Sequence, residues 1–219
     1  MVERVADRPV SNSTITYRTI RAEWAAELEA LEHEVFSDID AQDLYDATEL
    51  TNLANGFPEG NFVAFDGDRI VGMGLGLLVE FDFEHTDHTL RDITGDDGVK
   101  GHHPDHPWYY GTDISVLKSH RGHGIGRCLY DLRKQFVREH NKRGIVAGGV
   151  IPGYAQHRDT MTAKEYISRV SAGELCDPTL TMQINNGFRA TDAIPGYVHD
   201  ETVGNWASLI VWDNPEFQP

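Results

Sequence analysis

The chain has 219 residues and carries 35 Asp and Glu against 19 Lys and Arg, a formal net charge of −16. A chain of this length buries roughly 70% of its unfolded surface, so one ordinary domain holds together without disulfides or metal. At 40% hydrophobic and 25% charged residues it reads as a soluble globular protein, and its acidity weighs against nucleic acid as a partner, since phosphate neutralisation needs a basic face.

The charge is also biased in kind: 20 Asp, 14 Arg and only 5 Lys. Such a surface suits a halophilic, salt-loaded cytoplasm, where net charge resists association and its self-repulsion is screened. Cys128 and Cys176 have no CxxC spacing, so no disulfide framework and no four-cysteine zinc site is expected. The first twelve residues have no apolar core and read as a flexible leader, not a secretory signal. No run of about 18 apolar residues occurs, so no membrane partner is expected and the location reads as cytoplasmic.

Residues 13–219 read as a single domain. Thr14 to Ile20 alternates like a strand. Trp24, Leu28, Leu31 and Val35 recur at helical spacing, and the other face of that helix is rich in Glu. A second helix is predicted over 40–55, ended by Gly56 and Pro58. Two strands, 62–65 and 70–83, meet at the hairpin signal Asp66-Gly67. Residues 84–107 are polar, rich in His, Asp and Gly, and without periodicity, so they read as a long inserted loop. Strand 108–117, helix 124–140 and strand 145–151 follow. In a second insertion, 153–177, Thr162-Ala163-Lys164-Glu165 opens a short helix as a capping box. Asp177-Pro178 opens another, which stops at Asn186-Gly187. Strands 188–198 and 206–212 close an α/β chain.

The informative stretch is Arg121-Gly122-His123-Gly124-Ile125-Gly126-Arg127, between a strand and a helix. Its glycines let a ligand approach the backbone, and the first free N–H groups of a helix favour an anion. Residues 118–143 hold eight Lys and Arg against two acids, whereas 22–60 hold eleven acids and no Lys or Arg. The spacing fits neither a dinucleotide fingerprint nor a P-loop.

The same residues resemble the acyl-CoA loop of the GNAT superfamily of N-acetyltransferases, [Q/R]-x-x-G-x-[G/A]. The flanking Asp113-Ile114-Ser115-Val116 and Asn186-Gly187-Phe188 also resemble that family. Gly144 to Tyr154 and Asp177-Pro178-Thr179-Leu180 resemble, more narrowly, GNAT domains associated with carbon–nitrogen hydrolases. The resemblance implies an α/β (α+β) fold with a mixed, mostly antiparallel twisted sheet of about seven strands, a splayed parallel pair and flanking helices. It implies acetyl-CoA as co-substrate, held by Val116, Leu117, Arg121, Gly122, His123, Gly124, Ile125, Gly126 and Arg127, with an N–H such as that of Leu117 facing the oxyanion. The acceptor would be a primary amine on a small molecule or peptide, attacking the thioester directly; a homodimer is left open. A non-catalytic acyl-CoA-binding module is the alternative.

Catalytic candidates are Asp113, Tyr110, Tyr154 and His157. Alternation puts Tyr110 and Thr112 on one face and Asp113 on the other; Asp113 is the carboxylate available as base. Gln183 stands where the family commonly has an acidic Tyr, so Tyr154 and His157 are considered for that role. The His102-His103-Pro104-Asp105-His106 run lacks a fixed ligand geometry, so no metal is expected. Gly72, Gly74 and Gly76 read as a stripe permitting close packing.

Overall fold

The computed structural model describes residues 15–219; the leader expected over 1–12 lies outside them. Seven strands form one sheet: β1 (Ile15–Thr19), β2 (Phe62–Asp66), β3 (Arg69–Val79), β4 (Trp108–Val116), β5 (Gly144–Val150), β6 (Arg189–Ile194) and β7 (Ala207–Asp213). Their spatial order is β1-β2-β3-β4-β5-β7-β6. Neighbours are antiparallel except β4 and β5, which run parallel. This is the mixed, mostly antiparallel sheet expected from the sequence.

Several helices begin where side chains can cap them. Asp46 and Glu49 close a reciprocal capping box on α2 (Ala47–Gly56), which therefore starts later than the sequence pattern placed it. Thr162 caps α5 (Ala163–Ser171), and the Asp177 carboxylate accepts the N–H groups of Thr179 and Leu180 ahead of α6 (Leu180–Asn185). The 84–107 segment is not all loop. Thr89 and Asp92 form a capping box on α3 (Leu90–Thr94), too short to show periodicity. Arg91 of α3 donates to Glu49 and to the carbonyls of Gln42 and Leu44, tying this segment to α2.

On one face lies α4 (Ile125–Glu139), and the glycine stripe is what lets it approach. A Cβ on Gly72 would stand 3.4 Å from Ile125, and one on Gly74 3.4 Å from Leu129 and from Arg133. The other face is covered by α1 (Ala25–Val35), through Leu28 and Leu31.

The decisive irregularity is in β4. Leu75 pairs with Asp113 and Gly76 with Gly111, leaving Thr112 as an extra residue. Such a bulge breaks the alternation of faces. Gly111 faces the Arg133 guanidinium on the α4 side. Past the bulge, Val116 faces α4 as well, beside Ile125 and Gly126. Asp113 and Ser115 therefore point away from α4, on the same side as Tyr110 and Thr112. Strict alternation had placed Asp113 opposite Tyr110; the extra residue is the reason it is not.

Gly76 lies under the ring of Tyr109, whose hydroxyl donates to Gly60 O at 2.9 Å. A Cβ at Gly76 would fall 2.4 Å from that ring. Gly76→Ala is expected to destabilise the fold by about 1–3 kcal/mol, read from urea melts; an unchanged midpoint contradicts the packing described.

Candidate functional site

β4 and β5 pair only from Trp108–Gly144 to Gly111–Ala147, although β4 runs on to Val116 and β5 to Val150. The parallel pair opens just past this point. On the far side β5 stays bonded to β7 through Val150, so the gap has one firm wall. Two glycines thin that wall. A Cβ on Gly148 would stand 2.3 Å from the Tyr197 ring, and one on Gly149 2.7 Å from the Gln183 carboxamide. Gln183 is buried, and its Oε1 has no hydrogen-bond partner.

The bulge opens the other wall. Arg133 rises from α4, fully buried, and its guanidinium donates to the carbonyls of Leu75 and Asp113. Those are ladder acceptors beside the bulge, so the arginine satisfies groups that the irregular pairing leaves exposed. Leu117 N–H donates to Val71 O at 2.9 Å and so faces β3. By alternation along an extended chain, the N–H groups of Ile114 and Val116 turn toward the gap instead. The Leu117 N–H, considered for the oxyanion, is thus engaged by β3 and does not face the gap.

At the mouth of the gap the Gly-rich loop turns into α4. Gly122 and Gly124 have φ of 79° and 81°, a left-handed conformation that favours glycine. No side chain caps this helix end. The first intrahelical bond runs from Cys128 N to Gly124 O, leaving the N–H groups of Ile125, Gly126 and Arg127 outside the helical ladder. Arg121 donates to Val116 O at 3.1 Å, and Lys118, Arg121, His123 and Arg127 are exposed around the turn. Fixed donors, the positive helix end and exposed Lys118, Arg121 and Arg127 together suit an anion.

On the face away from α4, buried groups gather at the bulge. Ser115 Oγ donates to the Asp113 carboxylate, at 2.7 and 2.9 Å from its two oxygens, and Tyr45 Oη lies 3.1 Å from Thr112 Oγ1. Burial pushes the Asp113 carboxyl up to about 7, against the opposing pull of Ser115 and Arg133. Glu32 of α1 is buried in the same region with one oxygen unpartnered; burial, then the charge of Asp113, hold its carboxyl well above the usual range. The Glu-rich pattern of α1 concealed this residue among exposed ones.

Tyr110 Oη lies 3.2 Å from Tyr197 Oη and 2.6 Å from His88 Nε2. His88 was not distinguishable in an aperiodic segment. Tyr197 also lines a cavity of about 460 Å³ with Asp43, Asp46, Glu49, Thr89 and Arg91.

The remaining candidates fall elsewhere. Tyr154 is buried and donates to Met161 O at 3.0 Å, while His157 lies against the Tyr166 ring, centroids 5.3 Å apart. Neither is brought to Asp113 by any contact seen among the described residues. His102 stacks on Phe57 and accepts the Leu78 N–H. Among the described residues no three His, Cys, Asp or Glu side chains converge as metal ligands, and no helix is long and apolar enough to cross a membrane.

Residues 21–152 match the acetyltransferase (GNAT) family. The chain belongs to that family. It is 29% identical over 171 residues to an uncharacterized N-acetyltransferase, YkwB of Bacillus subtilis (strain 168), covering 78% of this chain and 76% of that one. It is 38% identical over 165 residues to the probable hydrolase YhcX of the same organism, covering 74% of this chain but only 32% of the relative. In fold it resembles the loading GNATL domain of CurA from Lyngbya majuscula, with a TM-score of 0.79, 21% identity and coverage of 91% and 98% of the two chains. It also resembles a GphF GNAT-like decarboxylase solved with isobutyryl-CoA, with a TM-score of 0.72, 18% identity and coverage of 90% and 98%.

Gly126 offers a clean probe of the anion site, because a Cβ there meets only Val116, at 4.0 Å. Gly126→Asp places a carboxylate at the helix start, which suits the helix and opposes a phosphate. Thermal stability is expected to hold or rise, while the calorimetric Kd for CoA weakens by at least about tenfold. Unchanged CoA affinity contradicts the site.

Proposed function

We propose that the chain moves an acetyl group from acetyl-CoA to a primary amine, by direct attack within the gap between β4 and β5. The observation that carries this reading is the coincidence of the gap with the glycine turn at its mouth. An extended amide-containing arm fits a strand edge whose N–H and C=O groups are unpaired, and its phosphates fit the start of α4.

The acceptor would come from the opposite face, through the cavity beside Tyr197. Its carboxylate lining supports an amine arriving as a cation. A lysine-like amine must then lose a proton, at a cost of about 4–5 kcal/mol near neutral pH. Asp113 is the base in this reading: it is at the bulge, on the acceptor's side, and its carboxyl titrates at about 7. The neutral nitrogen attacks the thioester carbon, and the oxyanion meets the N–H groups of Ile114 and Val116. The C–S bond then breaks. Gln183 has no proton to give, so the departing thiolate takes its proton from the new amide nitrogen. The products are the acetylated amine, CoA and one proton left on Asp113. Tyr154, whose hydroxyl is engaged by Met161 O, has no part in this reading. The carboxylate-rich composition fits work in a salt-rich cytoplasm.

Thiol release from acetyl-CoA with a panel of small-molecule and peptide amines tests the reaction. Turnover is expected for at least one primary amine, with kcat rising with pH through about 7 as Asp113 ionises. Asp113→Asn should lower kcat by about 100-fold and remove that rise. CoA binding with no turnover of any amine supports a binding module, for which the carboxamide at Gln183 is the favouring observation.

A further inference from the structure

Asp113 and Tyr110 are both buried, so once the acceptor fills the way in, a proton collected at the bulge needs a route to water through side chains. Three side chains on the acceptor's face supply one. His88 Nδ1 lies 2.7 Å from Thr86 O, Nε2 lies 2.6 Å from Tyr110 Oη, and Tyr110 Oη lies 3.2 Å from Tyr197 Oη. The direction of these bonds follows from chemistry. A carbonyl only accepts, so Nδ1 carries a proton. Burial lowers the basicity of His88 below that of an ordinary histidine, so its resting ring is neutral and Nε2 is an acceptor. Tyr110 must then donate to Nε2, and its single hydrogen is used. Tyr197 therefore donates to Tyr110.

We propose that Tyr197, Tyr110 and His88 are a proton line that carries the acceptor's proton from the bulge to the half-exposed 84–107 segment. The proposal rests on the acyl-transfer reading above. At its inner end, the Tyr197 ring covers Gly148 at the gap, and its hydroxyl feels the charge of Asp113. The proton on Asp113 passes, through a water, to Tyr197 Oη. Tyr197's own proton moves to Tyr110 Oη, and Tyr110's moves to His88 Nε2. Both tyrosines end neutral, Asp113 ends as a carboxylate and His88 ends as an imidazolium. The imidazolium then loses one proton to water. The groups facing His88 suit this transient charge: Asp87 and Asp92 from its own segment favour the cation, while Tyr110, Tyr197 and the edge of Phe81 pack on the ring as neutral partners.

The test uses the full chain, with acetyl-CoA and an amine that the wild type turns over. His88→Gln keeps an acceptor near Tyr110 but takes up no proton; Tyr110→Phe breaks the line in the middle. Each is expected to lower kcat by at least about tenfold with KM for both substrates within about twofold. The double variant should be no slower than the slower single, since the residues act as one unit. Added imidazole should restore part of the activity of His88→Ala and none of that of Tyr110→Phe. Wild-type kcat in a folded His88→Gln, multiplicative losses in the double variant, or losses in KM alone overturn the line and leave the acyl-transfer reading standing. Failure of the wild type to acetylate any amine while binding CoA overturns both. If His88→Ala does not fold, the comparison of His88→Gln with Tyr110→Phe decides.

Discussion

The site depends on one buried guanidinium. Arg133 spans from α4 to the carbonyls of Leu75 and Asp113, and these are the acceptors beside the extra residue Thr112. A bulge in a central strand leaves polar backbone groups without ladder partners, and in the interior such groups are costly. Arg133 supplies the missing donors. It also demands room, which Gly74 and Gly111 provide by having no Cβ where the guanidinium lies. The bulge in turn lets β4 leave β5 after Gly111 and rotates Asp113 onto the face of Tyr110.

This arrangement gives the two faces of the sheet opposite electrostatic character. The α4 face presents backbone N–H groups, an uncapped helix start and exposed cations. The other face presents Asp113, Glu32, Tyr110 and Tyr197, with carboxylates lining the cavity beyond. In the proposed reading an anionic donor and a cationic acceptor would meet through the gap from opposite sides of one sheet, and the charge of each face would disfavour the other ligand.

Much of this was legible in the chain. The glycine turn, its strand and its helix could be read locally, because turn glycines and helical periodicity are signals a few residues long. So were the hairpin at Asp66-Gly67 and the caps at Thr162 and Asp177. The bulge at Thr112 was not, since it is a mismatch between two strands and neither shows it alone. Glu32 and Tyr45 reach the bulge, and His88 and Tyr197 reach Tyr110, from four separate segments and only after folding. Glu32 in particular sits in a run of exposed glutamates, and only its position against the sheet makes it different.

The basic stretch 118–143 shows why a charge count and a charge site are different quantities. Its eight cations are not a single patch. Arg133 is consumed by the bulge. Lys134 donates to Asn186 O and lies over Phe188 and Trp212. Arg138 pairs with Glu216, Lys142 donates to Pro104 O, and Arg143 lies over Phe217. Lys118, Arg121 and Arg127 remain near the turn. The anion site thus owes more to oriented N–H groups than to net charge. Three exposed cations at the surface are screened by salt, whereas backbone donors at a helix start are fixed in place and keep their hydrogen bonds when salt is high. For a chain with so acidic a surface, the proposed phosphate contact would then depend on oriented donors and little on long-range attraction.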